Sequence, residues 1–348
     1  MSEYDKPPEL YDGLRLHQNE NTAGCSPRVL AALASLRADQ VGFYPPYKAT
    51  VEACARHFGA DPDAIALTNG LDEGILAVTL AYLRSTGGGE GAPEAIVPQP
   101  AFEMFGVTTE VGGGRTVKVM PRPGFDFQLE EVLEAITPRT RLVFLTNPNN
   151  PTGVSMSIDA IRTIAQRVPP GAGVFVDEAY VDFGGETFVP HLASCPNVIV
   201  GRTFAKAYGL AGLRLGAVIG VPAELNPIRR AIGVYSVNIA AVVAVRAALE
   251  DPAYVRDYLR QVEESRRLVY AACDRLGLAY WKSDANFVLI RTGAETARLV
   301  EAAAARGVYL RDRSSEPGCA GCLRITTGIV EHTRRGIAVM EEVVCAAR

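Results

Sequence analysis

The chain has 348 residues, of which 48% are hydrophobic and 21% are charged, and its net charge is −4. This composition excludes extensive disorder, and the small negative charge gives no bulk attraction to nucleic acid or to an anionic membrane. No apolar stretch approaches the roughly 18 residues of a transmembrane helix, and the first residues lack the basic start and apolar core of a signal peptide, so we predict a cytoplasmic protein without nucleic-acid or membrane partners.

The first 38 residues predict an extended arm followed by a short helix. Ser26 is a favourable N-cap, Pro27 suits the first helical position, and the segment 29–33 supplies apolar residues. We expect residues 1–38 to pack against a small domain or a partner subunit.

From about residue 45, short apolar runs alternate with helical patterns. The predicted strands are 64–68, 95–97, 116–119, 142–146, 174–176, 198–200 and 217–219, and the helices between them include 71–83, 129–135 and 158–168. Short continuous apolar strands interleaved with helices indicate a largely parallel sheet that is covered on both faces. We therefore predict an α/β fold, with a large domain over residues 39–245.

After about residue 245 the pattern changes. A long charged helical stretch covers residues 252–276, and short strands and helices then alternate. The later strands are predicted at 286–290, 308–310 and 323–326, and the later helices at 296–306 and 331–346. This mixture predicts a smaller α+β domain over residues 246–348.

The seven cysteines are odd in number and mostly scattered, which is typical of reduced thiols in a cytoplasm. Cys319 and Cys322 form a C-x-x-C pair, but a metal site requires a second pair of ligands and only His332 is near in sequence. We predict no metal site and interpret the pair as part of a loop.

Lys206 lies in the segment 202–214 (RTFAKAYGLAGLR), just after the apolar run 198–200. A lone lysine after a strand is usually a solvated surface charge, because lysine is seldom buried. Here, however, the motifs 147–153 (NPNNPTG) and 176–180 (VDEAY) precede it. Asn, Asp, Tyr, Lys and Arg in that order, each after an apolar run, are what a pyridoxal phosphate (PLP) site requires.

The tasks of a PLP enzyme each have a candidate residue. Lys206 would bind the cofactor aldehyde covalently, and Asp177 would keep the ring nitrogen protonated, since it follows the apolar run 173–176 at the end of a buried strand. Alone, Asp177 would be interpreted as a helix N-cap. Tyr180 and Asn150 would bond the ring hydroxyl, although in isolation Asn150 is typical of a turn.

Two segments are predicted to converge on the cofactor phosphate. The strand-to-helix turn at Gly70, Leu71 and Asp72 supplies the opening amides of a helix, which form an anion site. Thr203 and Arg214 bracket the lysine and add a hydroxyl and a guanidinium group.

Two further side chains have both a functional and a structural interpretation. Phe102 follows the run 95–97 and either stacks on the pyridine ring or packs in the core. Arg324 interrupts the apolar segment 323–326 and therefore requires an anion. A substrate carboxylate or phosphate is the functional partner, and an internal Asp or Glu is the structural one.

With these motifs the chain resembles the PLP-dependent class I/II aminotransferases of fold type I and, within them, the histidinol-phosphate aminotransferases. The resemblance extends over essentially the whole length. The segments that carry it are 16–21 (LHQNEN), 43–45 (FYP), 69–73 (NGLDE), 147–153, 176–183 (VDEAYVDF), 203–216 (TFAKAYGLAGLRLG), 310–313 (LRDR) and 322–328 (CLRITTG).

The resemblance implies an aspartate-aminotransferase-like fold and a homodimer with shared active sites. It implies that Tyr44 reaches the cofactor phosphate of the neighbouring subunit, and that Arg311 and Arg324 bind substrate anions. It also places Asn19 and Asn150 in the substrate site. The implied reaction converts L-histidinol phosphate and 2-oxoglutarate into imidazole acetol phosphate and L-glutamate, in histidine biosynthesis.

Three positions depart from the family pattern, and they leave the exact amino donor open. Ala205 stands where a serine usually precedes the lysine, Thr22 and Ala23 replace a proline and its neighbour near the substrate, and Phe102 replaces a common tyrosine. An aromatic amino acid aminotransferase and a threonine-phosphate decarboxylase keep the same cofactor residues. A nucleotide-binding dehydrogenase fits less well because no G-x-G-x-x-G follows the first strand, and a regulator would need a DNA-binding segment.

Overall fold

The computed structural model describes residues 12–84 and 91–346, so the start of the predicted arm lies outside the described residues. The strands are β1 (Leu14–Arg15), β2 (Ile65–Asn69), β3 (Glu94–Pro98), β4 (Arg115–Val119), β5 (Thr140–Thr146), β6 (Gly173–Asp177), β7 (Val198–Thr203), β8 (Leu215–Ile219), β9 (Ala279–Tyr280), β10 (Phe287–Arg291), β11 (Val308–Tyr309), β12 (Arg311–Asp312) and β13 (Cys322–Thr326). The helices are α1 (Pro27–Ala34), α2 (Ala38–Gly42), α3 (Lys48–Phe58), α4 (Gly70–Leu83), α5 (Met104–Val111), α6 (Leu129–Glu134), α7 (Ile158–Arg167), α8 (Pro222–Arg229), α9 (Ile239–Leu249), α10 (Pro252–Leu276), α11 (Thr296–Ala304) and α12 (Val330–Ala346).

A seven-stranded sheet in the order β2-β8-β7-β6-β5-β3-β4 forms the centre of the large unit. Its neighbouring strands from β4 to β7 are parallel, whereas β8 runs antiparallel to both β7 and β2. The inner strands are buried along their whole length because helices cover both faces. The prediction of a largely parallel α/β sheet is therefore confirmed.

The small unit is built on the four-stranded antiparallel sheet β12-β13-β10-β9. Its core includes residues of α10, α11 and α12, as the predicted α+β mixture requires. Strand β1 of the arm pairs with β11, whereas Val29 of α1 belongs to the core of the large unit. The arm thus links both units, and the domain limits at residues 38 and 245 stay a prediction.

The carboxyl ends of three adjacent strands define the edge of the large sheet that matters for function. β5 ends at Thr146, β6 at Asp177 and β7 at Thr203. Thr146 is in register with Asp177, and Asp177 is in register with Gly201. Open α/β sheets bind their ligands at this edge, so the segments that follow these strands are brought together there.

Candidate active site

A cleft of about 250 Å³ opens at the carboxyl edge of the large sheet, where the small unit faces it. Most of the predicted site residues line this cleft. They are Asn19, Leu71, Asp72, Phe102, Asn150, Asp177, Tyr180, Thr203, Lys206, Arg214, Arg311 and Arg324. Gly70 and Tyr44 are not among the lining residues.

Lys206 lies beyond the end of β7 and points its amine across the cleft. Its Nζ donates a hydrogen bond to the Gln18 carbonyl at 3.0 Å and lies 5.7 Å from the centre of the Tyr180 ring. The amine is thus held inside the cleft by a neutral acceptor and an aromatic face. A lysine in this setting is placed to react with a bound aldehyde.

Asp177 is the buried last residue of β6. One of its carboxylate oxygens, Oδ1, accepts the Ala179 amide at 2.9 Å. Burial raises the pKa of Asp177 to about 7, because desolvation outweighs that hydrogen bond and the attraction of Lys206. Asp177 ends a strand rather than beginning an α-helix, so the N-cap interpretation is not needed. A cation placed beside it in the cleft would be stabilised.

Tyr180 is fixed by the N-terminal arm. Asn19 Nδ2 donates to the Tyr180 hydroxyl oxygen at 3.0 Å, and the Tyr180 ring meets Phe287 edge-on with centroids 5.1 Å apart. Since the hydroxyl accepts this bond, its own hydrogen is available to a ligand in the cleft. Asn150 also has one group engaged and one available. Its Oδ1 accepts a hydrogen bond from the Arg324 guanidinium, and the amide hydrogens of Asn150 remain for a ligand.

The start of α4 forms a closed turn against Arg214. The Gly70 amide donates to the Arg214 carbonyl at 2.9 Å, and the next amides, of Leu71 and Asp72, have no acceptor within the helix. Gly70 has φ +73°, and a Cβ on it would collide with the Arg214 guanidinium. That guanidinium donates to Asp72 Oδ2 at 2.7 Å, so Arg214 is already paired within the turn.

Arg324 is a buried arginine with neutral partners. Its guanidinium donates to the Asn150 side chain and to the His17 carbonyl at 2.8 Å, and it lies 5.1 Å from the centre of the Phe287 ring. No carboxylate of the residues that the structure describes forms an ion pair with it, and its Nε has no partner there. The interpretation of Arg324 as one half of an internal ion pair therefore does not hold.

Two more arginines lie at this end of the cleft. Arg311 is in register with Arg324 across β12 and β13, and Arg313 follows two residues later, paired with Glu316. Burial and, after it, repulsion from Arg313 lower the pKa of Arg324 to about 9. Burial and, after it, the nearby arginines also lower the pKa of His17 to about 4, so this cleft residue is neutral.

Several residues that line the cleft were not predicted from the sequence as site residues. They are His17, Gln18, Ile75, Glu103, Thr146, Ala179, Ala205 and Arg313. Arg313 had a usable signal, because strand residues two apart share a face and Arg311 was already a candidate. Glu103 and Ile75 had none, since each stands next to an ordinary apolar or helical pattern.

Tyr44 lies away from the cleft of its own chain. Its side chain is 75% exposed and stacks on Tyr235 with ring centroids 4.1 Å apart. The role of Tyr44 in a neighbouring subunit stays a prediction.

Comparison with known proteins places this architecture in a family. The family model for aminotransferase class I and II matches residues 11–338. The chain belongs to the class I and II aminotransferases. It is 37% identical to a histidinol-phosphate aminotransferase of Symbiobacterium thermophilum, over 95% of this chain and 91% of that protein. It is 35% identical to one of Lactiplantibacillus plantarum, over 92% and 88% of the two chains.

Solved structures agree with this aminotransferase assignment. The crystal structure of histidinol-phosphate aminotransferase from Sinorhizobium meliloti, in complex with pyridoxal-5'-phosphate, superimposes with a TM-score of 0.86 at 26% identity, over 97% of this chain and 92% of that chain. Aspartate aminotransferase of Thermus thermophilus has the same fold, with a TM-score of 0.79 at 23% identity, over 95% and 92% of the chains. The chain is therefore a PLP-dependent aminotransferase of fold type I.

The cleft of this aminotransferase fits PLP. Among the described residues, no cation is in direct contact with the buried Asp177 carboxylate. The protonated ring nitrogen of PLP is a cation and would suit this position. A Cβ on Gly216 of β8 would lie 2.7 Å from the Leu71 nitrogen, so β8 packs closely against the start of α4, whose first amides are suited to a phosphate. Thr203 Oγ1 accepts the Ala205 amide at 3.2 Å, which leaves its hydrogen for the same phosphate.

Proposed function

We propose that this aminotransferase converts L-histidinol phosphate and 2-oxoglutarate into imidazole acetol phosphate and L-glutamate, a step of histidine biosynthesis. The observation that carries the substrate proposal is the pair formed by Arg311 and Arg324 in the cleft. The names of the relatives from Symbiobacterium thermophilum and Lactiplantibacillus plantarum support it.

Electrostatics favours a phosphorylated substrate. Side chains in register on antiparallel strands lie side by side, and like charges at such positions repel. Arg324 is buried as well, so its charge lacks the solvation that would reduce this repulsion. One guanidinium suffices for a carboxylate, whereas two suit a phosphate dianion. We therefore assign the substrate phosphate to Arg311 and Arg324, and the glutamate carboxylate mainly to Arg324.

Lys206, Asp177, Tyr180 and Asn150 each have a defined task in this proposal. When bound, PLP supplies the electron sink that makes the hydrogen on the substrate's amino-bearing carbon acidic. The Lys206 amine would move that proton between the substrate carbon and the aldehyde carbon of the cofactor. Asp177 would hold a positive charge on the ring nitrogen, and the Tyr180 hydroxyl and the Asn150 amide would donate to the ring oxygen.

Removing one arginine separates the two kinds of substrate. We expect Arg311→Ala to lower kcat/KM for histidinol phosphate by roughly 10–100-fold, since a hydrogen bond to a charged group contributes about 1.5–3 kcal/mol. The same change should affect glutamate much less, whereas Arg324→Ala should weaken both. Arg291→Ala serves as the control, because Arg291 stacks on Trp281 and does not line the cleft.

The same assay tests the alternatives. The wild-type enzyme could instead prefer an aromatic amino acid, and Arg311→Ala could leave the ratio of kcat/KM for histidinol phosphate and for that amino acid unchanged. In that case the histidinol-phosphate proposal is wrong and the enzyme is an aromatic amino acid aminotransferase. Release of carbon dioxide from threonine phosphate, instead of formation of a keto product, would point to the decarboxylase.

A homodimer with shared sites is the second part of the proposal. Two exposed apolar segments, 41–44 and 234–235, meet where Tyr44 stacks on Tyr235. Apolar residues clustered on a surface usually mark an interaction site. We propose that a second copy of the chain covers them and receives Tyr44 at its cofactor phosphate.

Mixing two defective variants tests the shared site. In a heterodimer of Lys206→Ala and Tyr44→Phe, one site carries both defects and the other carries neither. We therefore expect mixing to recover part of the activity that both separate variants have lost. Size-exclusion chromatography and mass spectrometry should confirm that subunits have exchanged. If exchange occurs and activity stays at the sum of the two variants, Tyr44 serves its own subunit and the proposal is wrong.

We also propose a cytoplasmic location, in keeping with the seven free cysteines. Within residues 12–84 and 91–346, no helix combines the length and the apolar character needed to cross a membrane. Localisation of a tagged full-length chain by cell fractionation would test the cytoplasmic proposal directly.

A further inference from the structure

A buried cluster of charges lies behind the catalytic residues, and none of the tasks above uses it. It consists of Arg202, Glu178 and Asp182. The Arg202 guanidinium lies 2.6 Å from Asp182 Oδ1 and 3.6 Å from Glu178 Oε2. The Glu178 side chain is fully buried, and that of Arg202 is 7% exposed. Burying charges is costly even when they are paired, so stability alone is a weak reason for this cluster.

The alternation of side chains along a strand explains where the cluster lies. Asp177 and Glu178 are consecutive, and so are Arg202 and Thr203. Because successive side chains point to opposite faces of a sheet, Asp177 and Thr203 face the cleft while Glu178 and Arg202 meet on the other face. The Glu178 amide donates to the Gly201 carbonyl at 2.9 Å, so pairing of the two chain segments extends to this point.

Glu178 and Arg202 are each held by further contacts. Glu178 accepts the Phe188 amide and the Thr187 hydroxyl, both at 2.6 Å. The Arg202 guanidinium lies 4.8 Å from the centre of the Phe58 ring. Burial raises the pKa of Glu178, and the positive charge of Arg202 opposes that shift. The cluster is therefore a rigid link.

Asp182 extends the link to the segment that carries Tyr180. It lies in the 3-10 turn Val181–Phe183, which begins directly after Tyr180. Arg202 in turn belongs to β7, four residues before Lys206. The guanidinium thus joins the chain segment of Asp177 and Tyr180 to the chain segment of the reactive lysine.

We infer that Arg202 is a positioning residue, which holds the Asp177 carboxylate and the Lys206 amine at a fixed separation by binding Glu178 and Asp182 together. Both reactive groups act on one rigid cofactor, so their separation must match its length. The inference rests on the roles proposed above for Asp177 and Lys206.

Arg202→Met tests the inference, because methionine fills a similar apolar space without a charge. We expect kcat per bound cofactor to fall by roughly 10–100-fold, since a displacement of about 1 Å in an active site has that effect. KM for the amino donor should stay unchanged, because Arg202 does not line the cleft. The visible circular dichroism of bound PLP, which reports its orientation, should change, and the Kd of PLP should rise.

Two further variants keep the test interpretable. Arg202→Lys retains the charge but reaches one carboxylate, so it should recover part of kcat and of the circular dichroism; it also replaces Arg202→Met if that variant does not fold. Glu94→Gln is the matched control: Glu94 is fully buried and pairs with Arg115 at 2.6 Å, at the amino end of β3. It should lower the melting temperature and leave kcat per bound cofactor and the dichroism unchanged.

The outcomes separate this inference from the proposals on which it rests. If both Arg202 variants lose only thermal stability, as Glu94→Gln does, Arg202 has a structural role and the inference is wrong. If borohydride fails to attach PLP to Lys206 in the wild-type enzyme, the assigned roles of the cleft residues are wrong and the inference falls with them. A lowered kcat with altered dichroism in Arg202→Met, partly restored in Arg202→Lys, supports it.

Discussion

Replacing Lys206 with alanine is expected to leave a folded protein that has lost essentially all turnover. The amine has two tasks in the proposed mechanism, covalent attachment of the cofactor and transfer of the substrate proton, and no other residue that lines the described cleft carries an amine. A proton-transfer group alone contributes roughly 10²–10⁴-fold to a rate. Loss of both tasks should therefore lower kcat by at least that factor.

The measurement combines activity with intact mass. After reduction with borohydride, the wild-type chain should gain the mass of the cofactor, whereas Lys206→Ala should not, even where it still binds PLP reversibly. Lys282→Ala is a suitable control, since Lys282 is an exposed lysine of the small unit outside the cleft. Turnover near the wild-type rate in Lys206→Ala would contradict both tasks of this amine in the aminotransferase mechanism.

The sequence predicted the main sheet because most of its strands are short, continuous and apolar. All seven predicted strands of the large unit are present, and the limits differ by at most a few residues. The inner runs are buried on both faces, so the hydrophobic pattern alone determines them, whereas β4 at the edge of the sheet is partly exposed and contains Lys118. The reversed direction of β8 was not predicted, since strand direction depends on the path of the chain rather than on composition.

Contacts between distant parts of the chain could not be predicted from the sequence. Lys206 bonds to the Gln18 carbonyl, and Arg324 bonds to Asn150 and to the His17 carbonyl. Backbone carbonyls carry no sequence signal, because every residue has one. The residue types of the site were therefore predictable, whereas the acceptors that orient Lys206 and Arg324 were not.

Replacing Asp177 with asparagine is expected to lower kcat by roughly 10²–10³-fold, the effect of removing one preorganised electrostatic group from an active site. Asparagine has nearly the same shape and can still accept the Ala179 amide through its Oδ1. The change therefore removes the negative charge that we propose to lie opposite the ring nitrogen, and little else. A variant within about tenfold of wild type, equivalent to about 1.4 kcal/mol, would show that the charge is not needed.

The same substitution should stabilise the cofactor-free protein, although it lowers the activity of the enzyme with cofactor. Burial raises the pKa of Asp177 from its ordinary 3.8 to about 7. The native state therefore holds this proton more tightly than the unfolded state. Ionisation of the buried carboxyl lowers the free energy of unfolding, fully above about pH 7 and hardly at all below about pH 4. A gap of that size corresponds to on the order of 4 kcal/mol. We expect cofactor-free Asp177→Asn to exceed wild type in free energy of unfolding at pH 8.

Urea unfolding at pH 8 and pH 4, with and without PLP, measures the free energies of unfolding of wild type and Asp177→Asn in each condition. Without cofactor the advantage of Asp177→Asn should shrink as the pH falls through 7 towards 4, where the wild-type carboxyl is protonated in the native state and partly protonated in the unfolded state. With saturating PLP at pH 8 the order should reverse, because only the wild-type carboxylate gains a positive partner in the cleft. A cofactor-free variant that is no more stable than wild type at pH 8 would contradict the raised pKa. If PLP stabilises Asp177→Asn as much as it stabilises wild type, the ring nitrogen is not the partner of Asp177.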